Sequence, residues 1–243
     1  MRWQKWCIMS LKTYTEPQKS GLLLLDKPKD FSSHDIVAIC RRELQTKKIG
    51  HSGTLDPMAT GLLIVLVGRE ATKRQSDFLK MDKVYSATLL LGAQTDSWDA
   101  DGQITEERPV PPLNQGMVEE AATRLSGQIR QPIPFFSAKR VQGKHLYSLA
   151  RQGVKMEQKY NEVSVQWPQV VLHTPNSITF TVHCSCGTYV RSLGYMLARE
   201  LGTVGHLTQL RREAIGPFTV QQAFDAKQLK GYGTNLYRFV QTL

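Results

Sequence analysis

Residues Lys48 to Gly68 read KIGHSGTLDPMATGLLIVLVG, a polar loop followed by an apolar run. The run Leu62–Val67, closed by a glycine, predicts a fully buried strand. The Gly, His, Ser, Thr, Asp and Pro residues before it predict a loop, which carries His51 and Asp56. Because a buried strand fixes what its loop presents, this loop is a candidate site for reactive side chains.

Turn chemistry alone also explains the Asp56-Pro57 pair. Asp often starts turns, and a residue before Pro is biased away from helix toward an extended or turn conformation. From the residues alone, Asp56 and His51 are therefore either structural or reactive. The loop indicates a site without naming its reaction.

Length and composition predict one large domain, or one domain with an appendage. The chain has 243 residues, 41% of them hydrophobic, which suffices for a packed core. Its 31 Lys and Arg exceed its 21 Asp and Glu, for a net charge of +10. This excess indicates a polyanionic partner, either nucleic acid or an anionic membrane surface, although a basic soluble protein would show the same charge.

Several classes of protein are not indicated. The apolar runs are too short to span a membrane, and the first 20 residues lack the apolar stretch of a secretory signal, so we expect a flexible leader over Met1–Ser20. The four cysteines lack a disulfide spacing, which is typical of a reducing compartment, here the cytoplasm. We expect no metal site, because no Cys/His set has ligand spacing, and no nucleotide cofactor, because no P-loop or Gly-x-Gly-x-x-Gly is present.

Strands and helices are mixed without a repeating strand–helix–strand order, which predicts an α+β fold. Alternation over Lys83–Gly92 predicts a strand with Tyr85 on its buried face. A helix is expected over Tyr189–Leu201, ended by a glycine. The remaining predicted strands are Gly21–Asp26, Val163–Trp167, Ser177–Cys184 and His206–Arg212, and the remaining predicted helices are His34–Gln45, Arg69–Met81, Gln115–Leu125, His145–Arg151 and Val220–Leu229.

The string G-H-S-G-T-L-D-P-x-A-T-G-x-L resembles the signature loop of the TruB-type pseudouridine synthases, which isomerise uridine in tRNA. The resemblance extends from about Gly21 to Pro217. It implies the pseudouridine synthase fold, a mixed, largely antiparallel sheet flanked by helices. Further matching stretches are GLLLLDKP at 21–28, DKVY at 82–85, LGAQTDSWDADG at 91–102, SAKRVQGKHLY at 137–147, CGTYVRSL at 186–193 and QLRR at 209–212.

The resemblance implies roles for individual residues. Asp56 is implied as the catalytic carboxylate and Arg191 as the cation beside it. An Arg suits this task because it stays charged and can bind a carboxylate bidentately. Tyr85 is implied to stack on the target base and to be a candidate for moving its C5 proton. Tyr189 and Leu210 match positions that line the uridine pocket, although the residues alone would be read as ordinary packing.

The resemblance also implies the partner, which is tRNA at its T loop and T stem, with uridine-55 as the target. The target base must leave a folded loop, and His51 is implied to help fill the space in the RNA stack. Asp96 is expected to be structural. The cations expected to reach RNA phosphates are Lys27, Lys73, Lys139, Arg140, Lys144 and Arg151.

The chain departs from the family pattern at two places. Cys186 stands where the family often has Lys, which removes one possible phosphate contact. The catalytic domain is expected over residues 21–217, and the extension 218–243 is too short for the family's C-terminal RNA-binding domain. We therefore expect a monomer with intact chemistry and weaker tRNA binding than longer relatives show.

Other functions remain open at this point. A catalytically idle RNA-binding protein on the same scaffold would not need Asp56, Tyr85 and Arg191 together. The guide-RNA-dependent branch of the superfamily expects protein partners, a C-terminal RNA-binding domain and charged tails, and this sequence shows neither that domain nor such tails. A glycosidase would want a second carboxylate paired with Asp56, and the sequence indicates none.

Overall fold

The structure is a computed structural model that describes residues 19–137 and 157–243, and the backbone of residues 140–141 and 144–145. The strands are β1 (Gly21–Lys27), β2 (Ile49–His51), β3 (Thr60–Val67), β4 (Lys83–Leu91), β5 (Ala93–Thr95), β6 (Ile104–Glu107), β7 (Gly127–Pro132), β8 (Arg140–Val141), β9 (Lys144–His145), β10 (Tyr160–Thr174), β11 (Ser177–Cys184), β12 (Gly205–Ile215), β13 (Phe218–Thr219) and β14 (Phe224–Asp225). The helices are α1 (Ser33–Glu43), α2 (Gly68–Lys73), α3 (Gln75–Lys80), α4 (Gln115–Arg124) and α5 (Val190–Glu200), and 3-10 turns cover Val220–Gln222, Ala226–Gln228 and Gly233–Phe239.

One sheet carries the domain. Its order is β14-β1-β3-β12-β4-β11-β10-β7, with β2 added to β3 and β13 added to β12. Only the pairs β1–β14 and β3–β12 are parallel, and the other pairs in this sheet are antiparallel. The predicted α+β fold with a mixed, largely antiparallel sheet is confirmed.

The two halves of the sheet are buried differently, as their sequences predict. Strands β1 and β3 are apolar over Leu22–Leu25 and Leu62–Val67, and these stretches are covered on both faces, by α1 on one side and by α2 and α3 on the other. Strand β4 alternates instead, and its inward face packs against α4 and α5 through Tyr85, Ala87, Leu89 and Leu91. The site lies where these two halves meet.

Two helix predictions are wrong in detail. The helix expected over Arg69–Met81 is two helices that divide at Arg74, and the break lets Ala71 and Phe78 both enter one core. The helix expected over Val220–Leu229 is two 3-10 turns around β14. The backbone of β14 pairs in parallel with the edge of β1, and this pairing outweighs local helix propensity.

The termini of the expected catalytic domain are tied to its core. Ser20 Oγ donates to Val67 O and accepts from Ala71 N, which fixes the start of β1. Residues 218–243 place Leu229, Leu236 and Val240 in the core against β1 and α1. The C-terminal segment therefore belongs to the same packed unit.

Part of the expected structure lies outside the described residues. This is true of Met1–Gln18, of Lys139 and Arg151, and of the helix expected over His145–Arg151, apart from His145 itself, which lies in β9. Arg140 and Lys144 belong to the β8–β9 hairpin, for which only the backbone is described.

Candidate active site

The loop that carries Asp56 is hydrogen-bonded to the first residue of α1. Ser33, the first residue of that helix, accepts the Leu55 N–H at 2.8 Å through its hydroxyl and donates to Leu55 O at 3.2 Å. Helix α1 starts there because Ser32 and Asp35 form a capping box. The backbone of Asp30 donates to Pro57 O at 2.9 Å on the other side of Asp56. The carboxylate is thus presented by a loop pinned at both flanks.

Lys27 does not point to solvent. It is fully buried, and its Nζ donates to Pro28 O at 2.8 Å, Phe31 O at 2.7 Å and Pro57 O at 3.3 Å. Burial lowers the pKa of Lys27 to about 8, against a smaller opposite effect of Asp56. The prediction that Lys27 contacts RNA phosphates is wrong, because its ammonium group is buried beneath the loop and donates to three carbonyls.

Arg191 and Asp56 form a side-on ion pair. Arg191 Nε lies 2.9 Å from Asp56 Oδ2, and Nη2 lies 3.3 Å from Asp56 Oδ1. Only 4% of the Arg191 side chain is exposed, against 34% for Asp56. The guanidinium therefore fixes the plane of the carboxylate from the protein side and leaves its outer edge open.

The rest of the guanidinium is held by groups that sequence reasoning missed. Arg191 donates to Ser97 O at 2.7 Å and to Phe136 O at 2.9 Å, and its Nη1 lies 3.4 Å from Asp99 Oδ2. Asp99 is buried, and burial raises its pKa while Arg191 lowers it. Asp99 lies in the stretch that also contains Asp96, and the sequence offered no signal that separated one acid from the other.

The side chain of Asp96 stabilises the turn in which it lies, as expected of a structural residue. Its Oδ1 accepts the Gln103 N–H at 3.0 Å. The glycine that follows Asp101 sits so close that an added Cβ would lie 2.3 Å from Asp96 Oδ1. Asp96 therefore closes the loop that carries Asp99.

A cavity of about 330 Å³ opens beside Asp56, and it brings together residues from distant parts of the chain. Tyr85 from β4, Leu210 from β12, and Tyr189 and Arg191 from the start of α5 all line it. Its volume is at the lower end of the range for small-ligand sites. The predicted set Asp56, Tyr85, Tyr189, Arg191 and Leu210 thus surrounds a single cavity.

The two tyrosines of the cavity are both protonated phenols at neutral pH. Tyr85 is buried, and burial raises its pKa while the adjacent Arg212 acts in the opposite direction. Burial likewise raises the pKa of Tyr189. The backbone of Tyr189 is fixed by Gln131, which accepts its N–H at 2.7 Å and donates to its carbonyl at 3.2 Å.

Two further cations line the cavity without having been predicted. Arg212 is 1% exposed and donates to Leu62 O at 2.7 Å and to Gly53 O at 3.2 Å. Lys83 donates to Leu79 O and Met81 O, and its burial, with Arg212 nearby, lowers its pKa. Lys83 and Arg212 both lie in stretches that resemble the family, but no hydrophobic periodicity in the sequence distinguishes them as site residues.

His51 stands at the end of β2, outside the cavity's lining. Its Nδ1 accepts the Gly53 N–H at 3.3 Å, so the ring is neutral and its Nε2 carries the proton. Burial and the neighbouring His34 lower its pKa. The two imidazoles meet edge to face with centroids 5.5 Å apart.

Lys73 is not brought to the cavity. It is exposed on α2, and its Nζ lies 2.9 Å from Glu70 Oε1. The cavity lining includes Leu79 from α3 but no residue of α2. The assignment of Lys73 to substrate binding therefore rests on the resemblance alone.

The family is decided by comparison with known sequences. Residues 41–190 match the family model described as "TruB family pseudouridylate synthase (N terminal domain)". The chain belongs to the TruB family. The protein is 40% identical over 224 residues to the tRNA pseudouridine synthase B of Chlamydia muridarum, covering 92% of this chain and 91% of that protein. It is 41% identical over 210 residues to the one of Protochlamydia amoebophila, covering 86% and 79%.

Solved structures agree with the TruB-family fold. A chain of a Cbf5-Nop10-Gar1 complex superposes with a TM-score of 0.68 and 23% identity, covering 91% of this chain and 60% of that one. A chain of an archaeal box H/ACA Nop10-Cbf5 complex gives 0.62 and 24%, covering 93% and 57%. At this level of identity, the likeness concerns the fold.

Neither a metal centre nor a spanning helix is found in the part of the chain that the structure describes. No group of three or more His, Cys, Asp or Glu residues there could hold a metal ion. No helix there is both long and apolar enough to cross a membrane.

Proposed function

We propose that this TruB-family protein is a tRNA pseudouridine synthase that converts uridine-55 of the T loop to pseudouridine, with Asp56 as its catalytic carboxylate. The observation that carries the proposal is the side-on Arg191–Asp56 pair at the wall of a cavity shared with Tyr85 and Leu210. Relatives that this chain covers almost completely carry the name tRNA pseudouridine synthase B.

The reaction leaves the elemental composition of the uridine unchanged. The C1′–N1 bond breaks, the base turns, C1′ joins C5, and the C5 proton leaves while N1 gains one. Asp56 can attack the sugar, add to the base, or stabilise a positive sugar. Each route needs the carboxylate in a fixed plane, and the pair with Arg191 provides this condition.

Tyr85 suits stacking more directly than proton abstraction. Its raised pKa keeps the phenol protonated, so it lies ready to stack on the uracil that enters the cavity. Any transfer of the C5 proton through Tyr85 therefore starts from the neutral phenol. Leu210 and Tyr189 complete the walls around the base.

Extruding the base costs on the order of a few kcal/mol, and stacking in the cavity returns roughly 1–3 kcal/mol of that cost. The neutral ring of His51 is suited to the vacated RNA stack, because an uncharged ring loses less hydration on burial than a charged one. The net charge of +10 attracts the phosphates of the T stem.

We further propose that the enzyme acts as a monomer in the cytoplasm. The cysteines that the structure describes, Cys40, Cys184 and Cys186, are free thiols, which is typical of proteins in a reducing compartment. Light scattering coupled to gel filtration tests the oligomeric state, and a mass of about 55 kDa, twice the chain's 27.4 kDa, would contradict the monomer.

The test is modification of an unmodified tRNA transcript, mapped at single-nucleotide resolution. We expect pseudouridine at position 55 with the wild type and with Asp77→Asn, a matched control on the exposed face of α3. We expect none with Asp56→Asn. Absence of modification by the wild type, with salt-sensitive tRNA binding retained, would favour the RNA-binding alternative on the same scaffold.

A further inference from the structure

Helix α5 presents three side chains in a row to the segment Ala93–Glu107. Arg191, Tyr195 and Arg199 are spaced four residues apart and so lie on one face of the helix. Arg191 bonds the carbonyl of Ser97, and Arg199 Nη2 bonds Gln94 at 3.1 Å and Glu106 at 2.6 Å. The catalytic Arg191 is thus the first of three contacts along a single docking face.

The middle contact is an aromatic stack. Trp98 lies over Tyr195 with ring centroids 4.4 Å apart and planes 16° apart. The guanidinium of Arg199 approaches the same Tyr195 ring, with its Cζ 5.3 Å from the centroid. Trp98 is 8% exposed and Tyr195 is partly exposed, so the Trp98 ring forms the inner side of the stack. Offset-stacked rings at this separation stabilise a protein by more than the burial of their apolar surface alone.

Trp98 also has an unfavourable backbone. Its φ of 62° lies in the left-handed region, which bulky side chains rarely adopt. Its carbonyl accepts the Leu207 N–H at 3.1 Å, and its own N–H donates to Thr95 O at 3.3 Å. Strained residues persist where their surroundings hold them in place, and such residues often occur at functional sites.

The two residues that flank Trp98 both contact Arg191. Ser97 supplies its carbonyl at 2.7 Å and Asp99 its carboxylate at 3.4 Å, on either side of the strained residue. Asp99 is fixed in turn by the Ser97 hydroxyl at 2.5 Å and the Asp101 N–H at 3.1 Å. A shift of Trp98 would move these two partners of Arg191 together.

We propose that Trp98 and Tyr195 are positioning residues, which act through Ser97 and Asp99 to hold the Arg191 guanidinium against Asp56. The inference rests on the proposed function for its kinetic test. The geometry itself is a property of the protein without RNA. The stack holds the turn Ser97–Asp99 in place, although Trp98 has a strained backbone there. This turn carries two of the groups that orient the Arg191 side chain.

The experiment removes the stack without touching the strained backbone. Tyr195→Leu abolishes the ring, whereas Tyr195→Phe keeps it and loses only the hydroxyl. The matched control is Trp167→Leu, which removes a different stacked pair, Trp167 on Phe180 with centroids 4.9 Å apart. All three proteins are assayed at temperatures well below their unfolding transitions.

With saturating tRNA, we expect Tyr195→Leu to lower kcat at least about tenfold with KM unchanged, because a small misplacement of a reacting group is costly. Tyr195→Phe and Trp167→Leu should stay within about twofold of wild type. A Tyr195→Leu enzyme with wild-type kcat, or an equal loss in Trp167→Leu, would overturn the proposal.

A second readout does not depend on activity. The Arg191 Nε–H signal in nitrogen-15 NMR should be sharp and slow to exchange in wild type, Tyr195→Phe and Trp167→Leu. In Tyr195→Leu it should broaden or disappear. An unchanged signal there would overturn the positioning role even in an active enzyme. If the wild type proved inactive on tRNA, the proposed function would fail and this signal would still decide the positioning role.

Discussion

Replacing Arg191 by Lys keeps the positive charge and removes the planar fork. The guanidinium makes hydrogen bonds to Asp56 Oδ1, Ser97 O and Phe136 O, and its Nε lies 2.9 Å from Asp56 Oδ2 in an ion pair. These acceptors lie around the plane of the guanidinium, and the single ammonium nitrogen of a lysine would reach only about two of them. Arg191→Lys therefore tests geometry separately from charge.

Each bond to a charged group contributes about 1.5–3 kcal/mol, so losing two would cost about 3–6 kcal/mol. A third of the Asp56 side chain is exposed, and water replaces part of this loss. We expect a drop of about 2–4 kcal/mol in the free energy of unfolding, measured with denaturant. Because Asp56 would no longer be held in one plane, kcat should fall about 100-fold.

Release of tritium from tRNA labelled at C5 of uridine measures the rate, since the C5 hydrogen is lost when C1′ joins C5. Arg124→Lys is the matched control, because Arg124 is 53% exposed and pairs with Glu200 at the surface. If Arg191→Lys kept the wild-type rate within twofold, the argument that the bidentate pair orients Asp56 would be refuted.

Three further outcomes are expected. Asp99→Asn should lower kcat about tenfold while KM for tRNA stays constant, and a raised KM with unchanged kcat would instead indicate a binding role. Gly61→Ala should cost more than about 2 kcal/mol of unfolding free energy, because φ is +100° and a Cβ would lie 2.3 Å from Arg212 O; denaturant melts showing no loss would contradict this. Folding lowers the pKa of Lys27 from 10.5 to about 8, so the folded protein loses this proton at a lower pH than the unfolded chain does. The free energy of unfolding of the wild type should therefore rise relative to that of Lys27→Met between pH 8 and pH 10.5, by up to about 3 kcal/mol. Melts at several pH values check the sign, and a flat difference would contradict it.

The loop and the strands around it could be predicted because local chemistry determines them. The apolar run after Asp56 is long enough to be a buried strand, and the alternation around Tyr85 gives that side chain its face. Both predictions concern the nearest few residues. The approach of Arg191 to Asp56 spans 135 positions and came from resemblance, since no periodicity reports a contact at that separation.

Burial of charged side chains could not be predicted in the same way. Lys27 is the last residue of a strand and precedes a turn, which is typical of an exposed lysine. The carbonyls of Pro28, Phe31 and Pro57 nevertheless enclose its ammonium group. Asp99 carried no signal in the sequence, because its contact is with a helix some 90 residues further on. The last segment similarly takes its structure from the edge of β1 and not from its own helix propensity.

The position of Arg191 is itself an argument that it serves function. It is the second residue of α5, where the helix dipole favours anions over cations, and it is almost wholly buried. A stable fold alone would not place an arginine there. Two carboxylates, Asp56 and Asp99, and two carbonyls compensate it. Such a local conflict, resolved by several partners at the wall of a cavity, is what a site that must hold one ionised carboxylate in place requires.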